Sequence, residues 1–371
     1  MKVLFLGDYS GLHATVANTL RSLGHECVVV SDGSRCMDTK RDINLKRESG
    51  LVNSFRYLSR AFNLIRSFKG FDVVQIINPG FVHLRPDKLR YLFKTLKNRN
   101  GAVCLSLAGT DSFYAKSLLD TDLFRYSEYK VGSNPTPYAL HNNQVINEWI
   151  APELMDYCRF VYDNIDGAVS AIYEYHIAAQ NFIHDKPVVY GGIPVDIDAL
   201  SFKPLKRESD SKVTILAGIK SEMTLFKGTD RLLTAAQAVE LRHPDKCEVL
   251  IARDLPLTEY LNRLERADII LDQLYSYSPA TNALQAMAMG KIAVSGGEPE
   301  FYDFLGESTL RPIINAVPND NLLVEILESL VLSDASLLEK LSSESRLFVE
   351  KHNDSRLVAN NYLKAWEKMI K

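Results

Sequence analysis

A chain of 371 residues is too long for one ordinary core, so two domains are expected. With 46% apolar and 24% charged residues the composition is that of a globular protein, and no run approaches the ~20 apolar residues of a membrane-spanning helix. The net charge of −3 is unevenly spread: Arg35 to Arg99 carries fifteen Lys and Arg against five Asp and Glu, so the rest is strongly acidic, and one basic face is expected to meet something anionic.

The opening "MKVLFLGDYSG" has a four-residue apolar run that breaks at Gly7-Asp8. A buried first strand fits it better than a signal peptide. "SGLHATVANTLRSLG" follows, with Leu12, Val16, Leu20 and Leu23 at helical spacing and Gly24 at the C-terminal cap position. "LVNSFRYLSRAFNLIRSF" (Leu51–Phe68) repeats Phe55, Leu58, Phe62 and Ile65 at helical spacing beside Arg56, Arg60 and Arg66. Such a helix suits an anionic bilayer; a helix packed on the sheet with ordinary surface arginines is the alternative. The runs "ECVVVSDG", "DVVQIINP", "AVCLSLAG", "GAVSA" and "PVVYGG" are short and apolar, as in a parallel sheet covered on both faces. Alternating with helical segments, they predict β-α-β units.

The pattern pauses at "GGIPVDIDALSFKPLKRESDSK", Gly/Pro-rich and then charged, which reads as a linker. It restarts with "VTILAG", "GTDRLLTAAQAVELR", "EVLIARD", "ADIILDQ" and "KIAVSGG". The expected fold class is α/β: two Rossmann-like, doubly wound parallel-sheet domains facing a cleft. The expected division is 1–192, a linker at 193–211, a second domain at 212–345, and a C-terminal helix at 346–371 returning to the first domain. In open α/β sheets ligands sit at the carboxyl edge of the strands. The five cysteines, Cys27, Cys36, Cys104, Cys158 and Cys247, are scattered with no C-x-x-C, as expected of reduced structural thiols in a cytoplasmic protein.

Candidate sites follow the strand ends. "GDYSGLH" lacks the spacing of a dinucleotide fingerprint. Gly7 and Gly11 can instead flank a tight turn that points backbone N–H groups into the cleft, with His13 in the first helical turn; a purely structural turn with His13 on the helix surface is the alternative. In "LAGTDSFY", Asp111 is placed to bind a sugar hydroxyl or orient a reacting group, or to act as a helix N-cap. In "SEMTLFKGTDRLL", Lys220 and Lys227, the latter before Gly228, suit an anionic ligand such as a diphosphate, against ordinary solvated loop charges. "SPATNALQAMAMG" (Ser278–Gly290) opens a helix with Pro279 and small residues. Ser278, Thr281 and Asn282 leave its free N–H groups approachable, so the helix end itself can serve as the cation for a phosphate. Gln285 can reach a ribose hydroxyl or be an ordinary exposed residue. No metal-ligand spacing, G-x-S-x-G or Walker loop occurs.

These residues resemble a known family. "LFKGTDRLLTAA" and "ADIILDQLYSYSPATNALQAMAMGKIAVSGGEPE" are similar to the donor half of GT-B glycosyltransferases, in particular the large retaining family of glycogen synthases and bacterial polysaccharide mannosyl- and glucosyltransferases. "GGIPVDIDALSFKP" is similar to its "P-x-G-V-D-x-x-x-F-x-P", and "AGTDSFY" resembles its "H-G-x-D". The resemblance covers nearly the whole chain, most strongly from Val213 to Glu300. The family's hallmark is two Glu separated by seven residues; here Tyr277 and Gln285 stand in those places, which departs from the pattern at donor-sugar recognition. Lys220 and Lys227 match its basic pair with one extra residue between them, and Glu298 and Glu300 stand near the donor-sugar region.

The resemblance implies sugar transfer from a nucleotide-diphosphate sugar to a glycan or lipid-linked glycan, with retention; with no D-x-D at a strand end and a helix dipole as the positive partner, no metal is expected, nor a separate cofactor or nucleic acid. Asp111 and His13 would line the acceptor side. The expected location is cytoplasmic, with peripheral membrane contact through the basic first domain. Loss of both hallmark glutamates keeps two alternatives open: a catalytically weak accessory or sugar-binding protein, and a GT-B sugar-nucleotide epimerase.

Overall fold

The computed structural model describes residues 1–34, 38–120, 122–207 and 211–370. Cys36, Arg35 at the start of the basic region, and residues 208–210 of the linker lie outside the described residues. The strands are β1 (Lys2–Leu6), β2 (Glu26–Ser31), β3 (Ile43–Asn44), β4 (Val73–Ile76), β5 (Ala102–Leu107), β6 (Lys130–Val131), β7 (Asn134–Pro135), β8 (Gly167–Ser170), β9 (Val188–Tyr190), β10 (Val213–Ile219), β11 (Cys247–Arg253), β12 (Ile269–Leu271), β13 (Ile292–Ser295) and β14 (Ile314–Asn315). The chain folds into two compact units.

The first unit comprises Met1–Ser117, Gln144–Pro194 and Ser355–Lys371. Its parallel seven-stranded sheet runs β3-β2-β1-β4-β5-β8-β9, with β1 pairing Val3 to Cys27 on one side and to Val73 on the other. The order reverses between β1 and β4. Successive side chains alternate faces, and both faces are covered, so the strands are apolar throughout. Leu4, Leu6, Val74, Ile76, Val103 and Leu105 enter one core with the helices Leu51–Ser67, Pro86–Arg99 and Pro152–Asn164. Val3, Phe5, Val73 and Cys104 enter the opposite core with the helices Leu12–Ser22 and Ser355–Met369.

The second unit comprises Leu118–Asn143 and Val195–Asp354. Its parallel five-stranded sheet runs β11-β10-β12-β13-β14, reversing between β10 and β12. Val213, Ile215, Ala217 and Ile219 pack against Leu232, Ala236 and Val239 of the helix Thr229–Arg242 and Leu323 and Leu327 of the helix Asp320–Val331. The units differ from a simple division at 192 and 212. Residues 118–143, with the β6–β7 ribbon, group with the second unit, and residues 346–352 finish the helix Ala335–His352 there, so the segment joining the first unit begins at Ser355. The helix Leu51–Ser67 turns Tyr57, Ala61 and Ile65 into the core, with Leu58 and Phe62 half-buried, while Leu51, Val52 and Phe55 are exposed. Cys27, Cys104, Cys158 and Cys247 are buried free thiols. No helix among the described residues is long and apolar enough to cross a membrane.

A buried polar chain runs along one face of the first sheet. Trp366 Nε1 donates to Gln75 Oε1 at 2.8 Å, and Gln75 Nε2 donates to Ser106 Oγ at 3.0 Å. Ser106 Oγ lies 2.8 Å from His13 Nε2, and His13 Nδ1 lies 2.7 Å from the Gly7 carbonyl. A carbonyl can only accept, so Nδ1 carries the proton and Nε2 accepts from Ser106. His13 is 0% exposed, and burial pushes its pKa down to about 3. It is therefore a neutral core residue, which corrects the expectation that it faces an acceptor: both ring nitrogens are spent, and no substrate can touch it.

The Gly7–Gly11 turn is corrected in the same way. Gly7 (φ +80°) is required because a Cβ would lie 2.2 Å from Ile77 Cγ2. The helix N–H groups beyond Gly11 are capped within the chain rather than left for a ligand. The buried Asp8 carboxylate accepts from His13 N–H at 2.8 Å and from Thr39 Oγ1 at 2.6 Å.

Two outcomes follow. Trp366→Phe leaves the buried Gln75 oxygen unpaired, so the first unit should lose about 1–3 kcal/mol in urea denaturation; an unchanged midpoint would remove the bond from the fold's energetics. For His13 the folded pKa is depressed, so its contribution is fully present above about pH 6.5 and is lost as pH falls from there toward about 3. Between pH 7 and pH 5 the wild type should lose about 2 kcal/mol more than His13→Gln. Equal losses in the two proteins would show that His13 protonates freely in the folded state.

Candidate active site

The second sheet reverses between β10 and β12, and the candidate donor residues leave these strands and β13. Lys220 follows β10 directly and is exposed. With hydrogen bonds from Ser221 as the larger cause, its charge helps hold Asp254 below the usual carboxylate range. A short helix, Thr224–Lys227, then ends at Gly228, whose φ of +67° lets the chain turn into the helix Thr229–Arg242. A side chain at Gly228 would meet Leu274 Cβ at 2.8 Å and the Tyr275 ring at 2.9 Å, so the close approach of this turn to the loop after β12 requires glycine. The Leu274 N–H donates to the Lys227 carbonyl at 2.8 Å, which fixes the two loops together.

That register places Lys227 Nζ 3.3 Å from Asp272 Oδ1. Asp272, just after β12, has a fully buried side chain. Its Oδ1 also accepts from Asn282 Nδ2 at 3.2 Å and its Oδ2 from Ser295 Oγ at 3.1 Å. Asn282 Oδ1 in turn accepts from the Tyr260 hydroxyl at 2.6 Å, and burial pushes the Tyr260 pKa up to about 12. Sequence reasoning named Lys227 and Asn282 but missed Asp272, which joins them. Its signal was present: an acidic residue closing the run "ADIIL".

The helix Thr281–Ala288 begins beside this cluster. Its N-cap, Ala280, provides no side-chain hydrogen bond, and no acidic residue stands in the first turn. Ser278 is buried, Thr281 and Asn282 are half-buried, and Gln285 is exposed one turn on. Lys227 and Asn282 are thus brought together with the helix start, whereas no hydrogen bond or ion pair joins the Lys220 side chain to them among the described residues.

Glu298 and Glu300 form a second cluster, at the start of the helix Pro299–Phe304. Glu298 is 5% exposed; its Oε1 accepts from the Tyr126 hydroxyl at 2.5 Å and its Oε2 from Arg125 Nη2 at 2.8 Å. Arg125 also pairs with Glu300 and holds its carboxyl below the usual range. Tyr277 packs here: its ring lies 5.0 Å from Tyr126 and 5.4 Å from Phe124, and its hydroxyl accepts from Arg125 N–H at 2.6 Å. The carboxylates expected to meet donor-sugar hydroxyls are hydrogen-bonded within the unit. Arg125 and Tyr126 could not be found from the sequence, because they lie about 150–175 residues from their partners.

In the first unit Asp111 takes the N-cap alternative. It is 5% exposed, and its Oδ1 accepts from Phe113 N–H at 2.9 Å and Tyr114 N–H at 2.8 Å, opening the helix Ser112–Leu118. Its Oδ2 accepts from the Tyr162 hydroxyl at 2.8 Å, and burial raises its pKa. It still borders a cavity at the end of β5. His13, deep in the core, does not join it. No group of three or more His, Cys, Asp or Glu placed to hold a metal occurs among the described residues.

No protein-family model and no curated protein sequence matches the chain. Solved structures do. A sucrose-phosphate synthase from Thermosynechococcus elongatus superposes with a TM-score of 0.63 at 11% identity, covering 100% of this chain and 99% of that one. HepE of Anabaena, solved with UDP-glucose, superposes at 0.58 and 11% identity over 99% of both chains. A putative UDP-N-acetylglucosamine 2-epimerase from Listeria monocytogenes superposes at 0.53 and 12% identity over 98% and 94%. Two Rossmann-like parallel sheets and these full-length superpositions establish the fold as GT-B, the fold of nucleotide-sugar glycosyltransferases.

Proposed function

We propose that the chain is a glycosyltransferase that moves a sugar from a nucleotide-diphosphate sugar to a saccharide acceptor, with retention and without a metal. The observation that carries this reading is Lys227, held by buried Asp272 beside a helix start whose N-cap residue, Ala280, makes no side-chain hydrogen bond. An ammonium has three donors, so one ion pair with Asp272 leaves others for phosphate oxygens. The helix N-terminus adds backbone N–H groups and the positive end of its dipole. Together they can stabilise the charge that develops on a departing diphosphate. Gln285, exposed one turn on, would serve a ribose hydroxyl in this reading. The second task of the reaction is to hold an acceptor hydroxyl close to the anomeric carbon, which is worth several kcal/mol of barrier.

A second reading is a nucleotide-sugar-binding protein of low transfer activity. It is favoured by Arg125, which occupies both Glu298 and Glu300, and by Tyr277, buried among aromatic rings where the resembled family has Glu. Superposition on a putative epimerase keeps a third activity, epimerisation without an acceptor, within the same test.

Titration calorimetry with UDP and GDP tests the diphosphate site. Lys227→Ala should weaken the better nucleotide about 10- to 150-fold, the ~1.5–3 kcal/mol of a hydrogen bond to a charged group. Unchanged affinity would remove Lys227 from the site. Nucleotide release from a panel of UDP- and GDP-sugars should require an acceptor and persist in EDTA. Sugar isomerisation without acceptor would establish the epimerase, binding without turnover the accessory protein, and loss of turnover in EDTA a metal requirement.

A further inference from the structure

The first unit contains a cavity of about 760 Å³, within the size range of small-molecule sites. It lies at the carboxyl edge of the seven-stranded sheet, where the strand order reverses: Tyr9 follows β1, Asn78 to Gly80 follow β4, and Asp111 follows β5. Ligands of open α/β sheets bind at such a reversal.

The lining is cationic. Arg47, Arg85 and Lys88 border the cavity, with His83 beside them, its Nε2 3.2 Å from Asp32 Oδ2. The one acidic residue in the lining is Asp111, whose carboxylate is already spent on a helix cap and on Tyr162. The Arg85 guanidinium has no hydrogen bond or ion pair among the described residues. Among the described residues the Arg47 guanidinium donates only to Ser54 Oγ, at 3.2 Å. Lys88 pairs at 2.9 Å with the exposed Asp87, an arrangement that water and salt screen. Arg47 and Arg85 have no ion pair among the described residues, so their like charges repel one another and an anionic ligand removes that repulsion. Arginine adds a planar fork that matches phosphate and carboxylate oxygens.

Aromatic surface stands with the charge. Tyr9 is 41% exposed and Trp149 half-buried, and both border the cavity. Such side chains offer apolar area for the C–H face of a sugar ring and a polar tip for its hydroxyls. Cations alone suit any anion; cations with two accessible aromatic side chains suit an anion carried on a saccharide.

We infer that this cavity takes an acidic saccharide, a sugar bearing a phosphate or a carboxylate, as the acceptor. This rests on the glycosyl-transfer reading for the word acceptor, and on the cavity alone for the ligand. The test is calorimetry on the full chain with four probes: a glucuronic acid-terminated disaccharide, N-acetylglucosamine 1-phosphate, the matched neutral disaccharide, and inorganic phosphate. UDP is titrated in parallel. At least one acidic saccharide should bind about tenfold or more tighter than the neutral one and than inorganic phosphate, and its affinity should fall as salt is raised. Whichever acid wins identifies the anion as phosphate or carboxylate. The double variant Arg47→Gln, Arg85→Gln should lose about tenfold or more of that affinity while binding UDP like the wild type.

Equal binding of acidic and neutral sugars, or a double variant that keeps full affinity, overturns the inference, and so does inorganic phosphate matching the sugar phosphate. If UDP still binds in those cases, the transfer reading survives. Acidic-saccharide binding with no nucleotide binding does the opposite: it keeps the cavity's ligand and removes the transfer reading.

Discussion

One buried carboxylate organises the edge of the second sheet. An ionised Asp272 inside a protein costs several kcal/mol in lost hydration, and that cost is offset only if its oxygens are fully engaged. Here the engagement comes from three elements: the ammonium of Lys227 from the β10 loop, the amide of Asn282 from the following helix, and the hydroxyl of Ser295 from β13. The same contacts that satisfy Asp272 decide where those elements sit. Lys227 is held because Asp272 cannot be left unpaired, and the helix start is held because Asn282 is tied to both Asp272 and Tyr260. Gly228 belongs to the same constraint, since only a residue without Cβ lets the Lys227 loop come this close to Leu274 and Tyr275.

The neighbouring cluster solves a different problem. Glu298 is nearly as buried as Asp272, yet its partners come from residues 118–143, a segment inserted between strands of the first sheet's chain path. A tyrosine at 277 fits this arrangement better than a carboxylate would. A third acid beside Glu298 and Glu300 would add like-charge repulsion to a site with a single arginine, whereas the Tyr277 ring packs on Tyr126 and lies 5.1 Å from the Arg125 guanidinium. The departure from the resembled family's motif is thus coupled to Arg125 and Tyr126, not an isolated replacement.

The strands were legible because parallel strands buried on both faces are apolar at nearly every position, as "VLFL" and "AVCLSL" are. The Lys227–Gly228 turn and the helix at Thr281 were legible because glycine, proline and small residues mark backbone requirements directly. His13 and the Gly7–Gly11 turn were misread because a strand-end loop looks the same in sequence whether its N–H groups are open or capped. Asp8, inside that loop, is what closes it. Asp111 offered two readings from one residue type, and the Tyr162 hydroxyl that absorbs its second oxygen lies 51 positions away. The grouping of residues 118–143 with the second unit had no local signal, since it depends on pairings across more than 150 residues.

The first unit is built from three separated stretches of chain, and the last of them supplies Val358, Ala359, Tyr362, Ala365 and Trp366 to the core beneath Val3 and Phe5. A ribosome delivers these residues only after it has made all of the second unit's chain. Until then Val3, Phe5, Val73 and Cys104 have the helix Leu12–Ser22 on their face of the sheet but lack the helix that completes the core. The order of synthesis therefore runs against the order of assembly: the stretch made first is among the last to be sealed. A nascent chain must shield an apolar sheet face during translation of some 160 residues, from Val195 to Asp354, and a chain that stops short of Ser355 leaves that face open for good.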